Sequence, residues 1–158
     1  HVHASPYSGS QIREDELENI FDKVWVFVGH GSEIPNAGDF LTRTIGRQPV
    51  IMSRGKNPNI SVFLNRCAHR GTAVCPVERG KTKYFVCPYH GWPYDLNGSL
   101  SGVPYPGAYG RDFKKKDHGL PRPIRWDRYR GFIFVSLSSE RPSLDEHLGM
   151  AKKLIDRS

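Results

Sequence analysis

The chain has 158 residues, 37% of them hydrophobic and 25% charged, with a formal net charge of +7 and a pI near 9.5. That length fits one domain able to bury roughly 70% of its unfolded surface, so no disulfide framework is required for folding. The composition excludes a disordered chain, and the longest apolar runs, around Val24–Val28 and Phe132–Val135, are too short to cross a bilayer.

Residues 11–25, QIREDELENIFDKVW, set Leu17, Ile20, Phe21, Val24 and Trp25 on one helical stripe behind an acidic first turn. The spacing predicts a helix of about three turns packed on the domain. The texture then changes. DFLTRTIG (39–46), PVIMSR (49–54), ISVFLNR (60–66), KYFVC (83–87) and GFIFVSL (131–137) are short runs of β-branched and aromatic residues. Gly, Pro and Asn separate them, which predicts antiparallel strands in a sandwich or small barrel. Residues 102–124 hold four prolines and four glycines and read as a long ordered loop. Ser143 and Glu146 form a capping-box signature, predicting a last helix with Leu144, Leu148, Ala151 and Ile155 on one face.

The basic charge is dispersed over Arg122, Arg125, Arg128 and Arg130, apart from the run Lys114-Lys115-Lys116. Such a run reads as a solvated loop, with docking of an acidic partner as the functional alternative. No interleaving of aromatic and basic residues supports nucleic-acid binding. The sequence begins at His1 rather than Met and has no apolar N-terminal stretch, so the expectation is a fragment or trimmed chain without a signal peptide. His1 and His3 read as terminal decoration.

The chemistry concentrates in two segments. NRCAHRG carries Cys67 and His69, and CPYHGW carries Cys87 and His90, with 17 residues between His69 and Cys87. An odd count of three cysteines argues against disulfides, and reduced thiols point to the cytoplasm. Cys75 is left over and reads as a buried small hydrophobe. Two thiols and two imidazoles admit a zinc site or a [2Fe–2S] cluster with the cysteines on one iron and the histidines on the other. Zinc fingers favour paired cysteines followed by paired histidines, whereas here each half is mixed. Gly71 and Gly91 follow the histidines closely, as if to bring backbone N–H groups to bridging sulfides. Tyr89 and Trp92 offer apolar cover. These flanks favour iron–sulfur over zinc and over unligated residues.

CAHRG and CPYHGW resemble the Rieske motif of aromatic-ring-hydroxylating dioxygenases, in their alpha (large) subunit. IFDKVWVFVGHGSEIPNAGDF, YDLNGSLSGVPY and YRGFIFVSL extend the resemblance from about residue 12 to 150. It implies a mainly β, Rieske-type antiparallel sandwich or small barrel with two cluster-binding loops and flanking N- and C-terminal helices. The implied organisation is an N-terminal segment 1–38, a Rieske domain 39–140, and a C-terminal helix 141–158 leading toward a catalytic domain. Cys67 and Cys87 would hold the inner iron of a [2Fe–2S] cluster and His69 and His90 the outer, with Arg70, Gly71, Tyr89, Gly91 and Trp92 around them. Arg70-Gly71 and Pro88-Tyr89 stand where respiratory Rieske proteins carry an extra disulfide pair. Pro93 departs from the family, which often has a free N–H there.

The resemblance further implies electrons arriving from a ferredoxin or NAD(P)H-dependent reductase and leaving for a mononuclear non-haem iron. That iron would belong to a neighbouring alpha subunit's catalytic domain in a trimer, with or without a beta subunit. It would serve aromatic hydrocarbon catabolism. His30, His118 and His147 show no spacing for a second iron site, so oxygenation is not expected of this chain alone. The alternatives are a stand-alone Rieske ferredoxin and a zinc-stabilised binding module; no nucleic acid and no membrane is expected as a partner.

Overall fold

The structure, a computed structural model, describes residues 9–56, 59–140 and 142–157. His1, His3 and the first part of the N-terminal segment lie outside the described residues. The chain opens with α1 (Ser10–Glu16), which widens into a π-helical turn, Leu17–Phe21. Among the described residues nine strands follow: β1 (Val26–His30), β2 (Asp39–Ile45), β3 (Gln48–Arg54), β4 (Ile60–Leu64), β5 (Arg79–Lys81), β6 (Phe85–Val86), β7 (Pro93–Tyr94), β8 (Arg125–Tyr129) and β9 (Phe132–Ser136). Two short helices, α2 (Leu144–Leu148) and α3 (Lys152–Ile155), close the described chain. Among the described residues no helix is long and apolar enough to cross a membrane.

The strands pair antiparallel in three sheets, ordered β1-β9-β8, β4-β3-β2-β5 and β6-β7. The four-stranded sheet is the middle layer. Side chains alternate across a strand, so its two faces feed two cores. Leu41, Val50, Met52, Val62 and Leu64 pack toward Val28, Ile133 and Val135 of the first sheet. Phe40, Ile51 and Phe63 face the other way, toward Phe85, Tyr94 and both Cys67 and Cys87. β3 and β4 are therefore buried on both faces, which is why their sequences read as continuous apolar runs. The second core is the seat of the two cysteine–histidine segments.

The sequence missed β1, β5, β7 and β8. β8, RWDRY, alternates too weakly to signal a strand and is specified by its register with β9, Trp126 opposite Val135 and Arg128 opposite Ile133. The predicted strand 83–87 shrinks to Phe85–Val86, because only two residues pair with Pro93 and Tyr94. The predicted helix 11–25 ends earlier, at Phe21, and buries none of its residues; Trp25 alone of the stripe is buried. Its packing is local: the positive φ of Gly46 turns β2 into β3 where a Cβ would meet Asp22, Phe21 and Leu17, and Glu14 pairs with Arg47.

The capping box at Ser143 and Glu146 forms as predicted. The single last helix does not. Gly149, at φ +46, breaks it into α2 and α3 joined by a 3-10 turn, since a left-handed residue cannot continue a helix. Of the expected face, Leu144 is buried, Leu148 and Ile155 are half-buried and Ala151 is exposed. The two ends of the chain are tied together: Trp25 Nε1 donates to Pro142 O at 2.9 Å, and the Arg125 guanidinium lies 4.9 Å from the Trp25 ring centre.

Candidate metal centre

Two loops with the same backbone wiring hold the predicted residues. In the first, Cys67 N–H donates to Thr72 O and Gly71 N–H returns to Cys67 O, both at 2.8 Å. In the second, Cys87 N–H donates to Trp92 O and Gly91 N–H returns to Cys87 O, both at 2.9 Å. Each loop thus closes on its cysteine, with a glycine four residues later in the left-handed region, φ +74 at Gly71 and +68 at Gly91. The histidine sits two residues after the cysteine in one loop and three after it in the other. The glycines' own N–H groups go to the cysteine carbonyls, and their positive φ supplies the turn of each loop.

The first loop is fastened by Asn65, to which the sequence reading gave no role. Its buried side-chain oxygen accepts from Val74 N–H and Cys75 N–H at 3.0 Å each, and its amide donates to Cys75 O at 2.6 Å. One side chain therefore closes the segment that carries Cys67 and His69. Cys75 itself is a buried member of the core, its thiol pushed up by burial.

Cys67 and Cys87 are free thiols, 3% and 2% exposed. His69 and His90 are half-buried, with ring centres 4.6 Å apart. In both, Nδ1 is buried and has no hydrogen-bond partner among the described residues. A buried ring nitrogen left without a partner costs about 1–3 kcal/mol. Two such atoms, on rings 4.6 Å apart and in the loops that carry two buried thiols, fit a metal group that takes Nδ1 from each ring and sulfur from each cysteine. Among the described residues no three His, Cys, Asp or Glu donors converge on a single ion position. Two thiols and two imidazoles, one of each per loop, are the donor set of a [2Fe–2S] cluster held by two cysteines and two histidines. The His69 pKa is lowered, first by desolvation and then by the His90 and Arg70 charges. The neutral imidazole so favoured is the form that binds metal.

Aromatic side chains shape the surroundings. Trp92, 2% exposed, stacks parallel on His69 at 4.7 Å between ring centres and 6° between planes. Its Nε1 donates to Tyr109 Oη at 3.0 Å, and Tyr109, Phe113 and His118 pack its edges. The long loop 102–124, with its short 3-10 turns Pro106–Ala108 and Lys115–His118, is thus the outer wall of Trp92. Tyr89 is 58% exposed and lies over His90 at 3.8 Å between ring centres; Arg70 sits 5.9 Å from the Tyr89 ring centre. Tyr89 is therefore an exposed cover rather than part of the buried shell.

Tyr94 completes the site and was not predicted. Fully buried, its Oη lies 3.0 Å from Cys67 Sγ and accepts from Ala68 N–H at 3.1 Å. No local pattern could find it, because it reaches Cys67 across 27 positions of sequence. His30 ends strand β1, with Nδ1 2.7 Å from Ser32 Oγ and Nε2 3.1 Å from Arg130 O. His118 closes a 3-10 turn, and His147 is exposed on α2.

The Rieske [2Fe-2S] domain profile matches residues 24–120. Biphenyl 2,3-dioxygenase subunit alpha of Rhodococcus jostii is 43% identical over 150 residues, covering 95% of this chain and 32% of that protein. N,N-dimethyl phenylurea N-demethylase subunit alpha of a Sphingobium species is 45% identical over 142 residues, covering 89% of this chain and 31% of that one. Naphthalene 1,2-dioxygenase from a Rhodococcus species, in a crystal structure bound to indole, superposes with a TM-score of 0.90 at 42% identity. That match covers 98% of this chain and 36% of the other. The chain spans about a third of the length of the curated relatives it matches. It belongs to the Rieske [2Fe-2S] domain family, in the form found in the alpha subunits of aromatic-ring-hydroxylating dioxygenases, and its cofactor is a [2Fe–2S] cluster.

Proposed function

We propose that this chain is the electron-relay domain of an oxygenase alpha subunit. In this reading Cys67 and Cys87 hold the inner iron of the cluster, and His69 and His90 hold the outer. The observation that carries it is the pair of buried Nδ1 atoms, without partners among the described residues, on the two loops that also carry buried free thiols. When bound, the cluster supplies reversible one-electron chemistry. The protein's part is to keep the two sides of the site different. The thiols stay dry in the second core, under the Tyr94 hydroxyl. The imidazoles are only half-buried, and with Nδ1 turned inward, Nε2 is the nitrogen left for a partner. Among the described residues no side-chain carboxylate pairs with either ring.

The electron donor in this reading is a ferredoxin or an NAD(P)H-dependent reductase. The acceptor is a mononuclear iron in a neighbouring alpha subunit's catalytic domain, within an oligomeric alpha assembly. The kinship of the chain with both a dioxygenase and an N-demethylase subunit supports a relay whose substrate is chosen elsewhere.

Iron and acid-labile sulfide analysis, with visible and electron paramagnetic resonance spectra, tests the assignment. The expected content is two irons and two sulfides per chain. Cys67→Ser and Cys87→Ser should each abolish the signature, whereas Cys75→Ser should keep it. Stoichiometric zinc in a colourless protein, or full cluster content in Cys67→Ser, would overturn the ligand set.

A further inference from the structure

A groove of about 1030 Å³ opens beside the strand that leads into the second loop. Its lining includes Lys56, Lys81, Lys83, Tyr84, Asp95 and Leu96. Among the described residues none of the three ammonium groups has an ion-pair partner. Asp95, the one carboxylate in that lining, accepts from Asn97 N–H at 2.8 Å and Ser99 N–H at 2.9 Å within its own turn. Lys115, from the basic run, reaches Ser101 O on the same lining at 3.3 Å and adds a fourth cation. Glycine lets two segments of the lining meet closely. At Gly38, φ +92, a Cβ would lie 2.7 Å from Thr82 O.

The groove is joined to the cysteine side of the site by short paths. Tyr84 precedes Cys87 by three residues, and Asp95 and Leu96 directly follow Tyr94. Leu96 is buried in the same core as Cys67, Cys87 and Tyr94. Neither His69 nor His90 contributes to the groove.

Building on the electron-relay reading, we propose that this groove is the docking surface for an acidic electron-donor protein. Electrons then enter on the cysteine side, and the histidine edge is left to the acceptor. The four cations match carboxylates on the donor, and Tyr84, 52% exposed, is an aromatic anchor among them. Each encounter moves one electron: the donor's reduced centre is oxidised, and the cluster held by this chain receives the electron. No proton or further reactant enters the balance.

The test uses the holoprotein and, as probe, an acidic plant-type [2Fe–2S] ferredoxin. Carbodiimide coupling joins lysine amines to carboxylates as amides with loss of water, and peptide mapping locates the joints. Calorimetry gives the affinity of the wild type, of K56E/K81E/K83E, and of R128E/K153E/R157E, which carries the same change in charge on other surfaces. Visible spectra check that both variants hold their cluster. The expected result is coupling at Lys56, Lys81 or Lys83. The groove variant should bind roughly tenfold or more weakly at low ionic strength, the control within about twofold, and added salt should narrow the gap. Coupling confined to other lysines, equal losses in both variants, or no binding by a wild type with a normal cluster spectrum would each overturn the docking surface alone. A wild type without the cluster signature overturns the relay reading, and the docking surface with it.

Discussion

Tyr94 Oη lies 3.0 Å from Cys67 Sγ while accepting a hydrogen bond from Ala68 N–H at 3.1 Å. When Cys67 serves as a thiolate ligand its sulfur has no proton to give, and the phenol is then the donor of this contact. Burial first, and the Cys67 contact second, push the Tyr94 pKa up, so the hydroxyl stays protonated. A hydrogen bond to a thiolate spreads its charge and makes reduction easier. Tyr94→Phe should therefore lower the reduction potential while leaving the cluster in place. A differential interaction of about 1.4 kcal/mol corresponds to roughly 60 mV for one electron, so the expected fall is tens of millivolts. A redox titration followed by electron paramagnetic resonance measures it; an unchanged or raised potential contradicts the role.

Asn65 closes the first loop with three hydrogen bonds, two of them to N–H groups of residues Val74 and Cys75. In Asn65→Ala those donors are left buried. At about 1–3 kcal/mol per unsatisfied group, the expected loss is about 3 kcal/mol, a Tm fall of roughly 6–12 °C. Asn65→Asp should recover part of it, because a carboxylate still accepts from both N–H groups. Thermal unfolding of the three proteins is the measurement, and equal Tm values would refute the clamp.

Gly71 and Gly91 share a left-handed backbone, yet no atom lies within 4 Å of a Cβ built on Gly71, and only Pro104 Cγ, at 3.5 Å, on Gly91. The cost of substitution is then conformational rather than steric. Gly71→Ala should destabilise by about 1–2 kcal/mol, and Gly71→Asn by less, since Asn tolerates this region. Denaturant unfolding should rank them Gly, Asn, Ala. A more stable Ala variant would show that the turn is not strained.

Asp156 fastens the last described turn to the β8–β9 hairpin, accepting from Tyr129 Oη and Arg130 Nε at 2.9 Å each. These contacts, Tyr129's first, hold its carboxyl below the usual carboxylate range, and Ser143 does the same for Glu146 at the cap of α2. Because both folded values are depressed, their contributions are complete above the ordinary carboxylate pKa. They are lost as pH falls through the lowered folded values. Protection factors of residues 143–157, which correct for the intrinsic pH dependence of amide exchange, should fall below about pH 4 and change little between about pH 6 and 8. Asp156→Asn should flatten the part of that response near Arg130.

The four proposed ligands, the class of cofactor and three of the middle-sheet strands, β2, β3 and β4, were legible in the sequence because each is a local signal. C-x-H and C-x-x-H are short spacings, β3 and β4 carry continuous apolar runs, and β2 is rich in β-branched residues, all bounded by turn residues. Gly149 broke the predicted last helix although Leu144, Leu148, Ala151 and Ile155 keep helical spacing, because periodicity does not register one left-handed residue. β8 and β7 were invisible because their own residues hardly favour strand, and their partners β9 and β6 decide the pairing. What only the tertiary structure decided is everything that crosses the chain: Tyr94 on Cys67, Trp92 stacked on His69 under the wall of residues 102–124, and the lysine groove gathered from four segments. Such contacts depend on three-dimensional register, and a linear pattern records only neighbours, so composition and spacing determined the chemistry while packing determined its polarity.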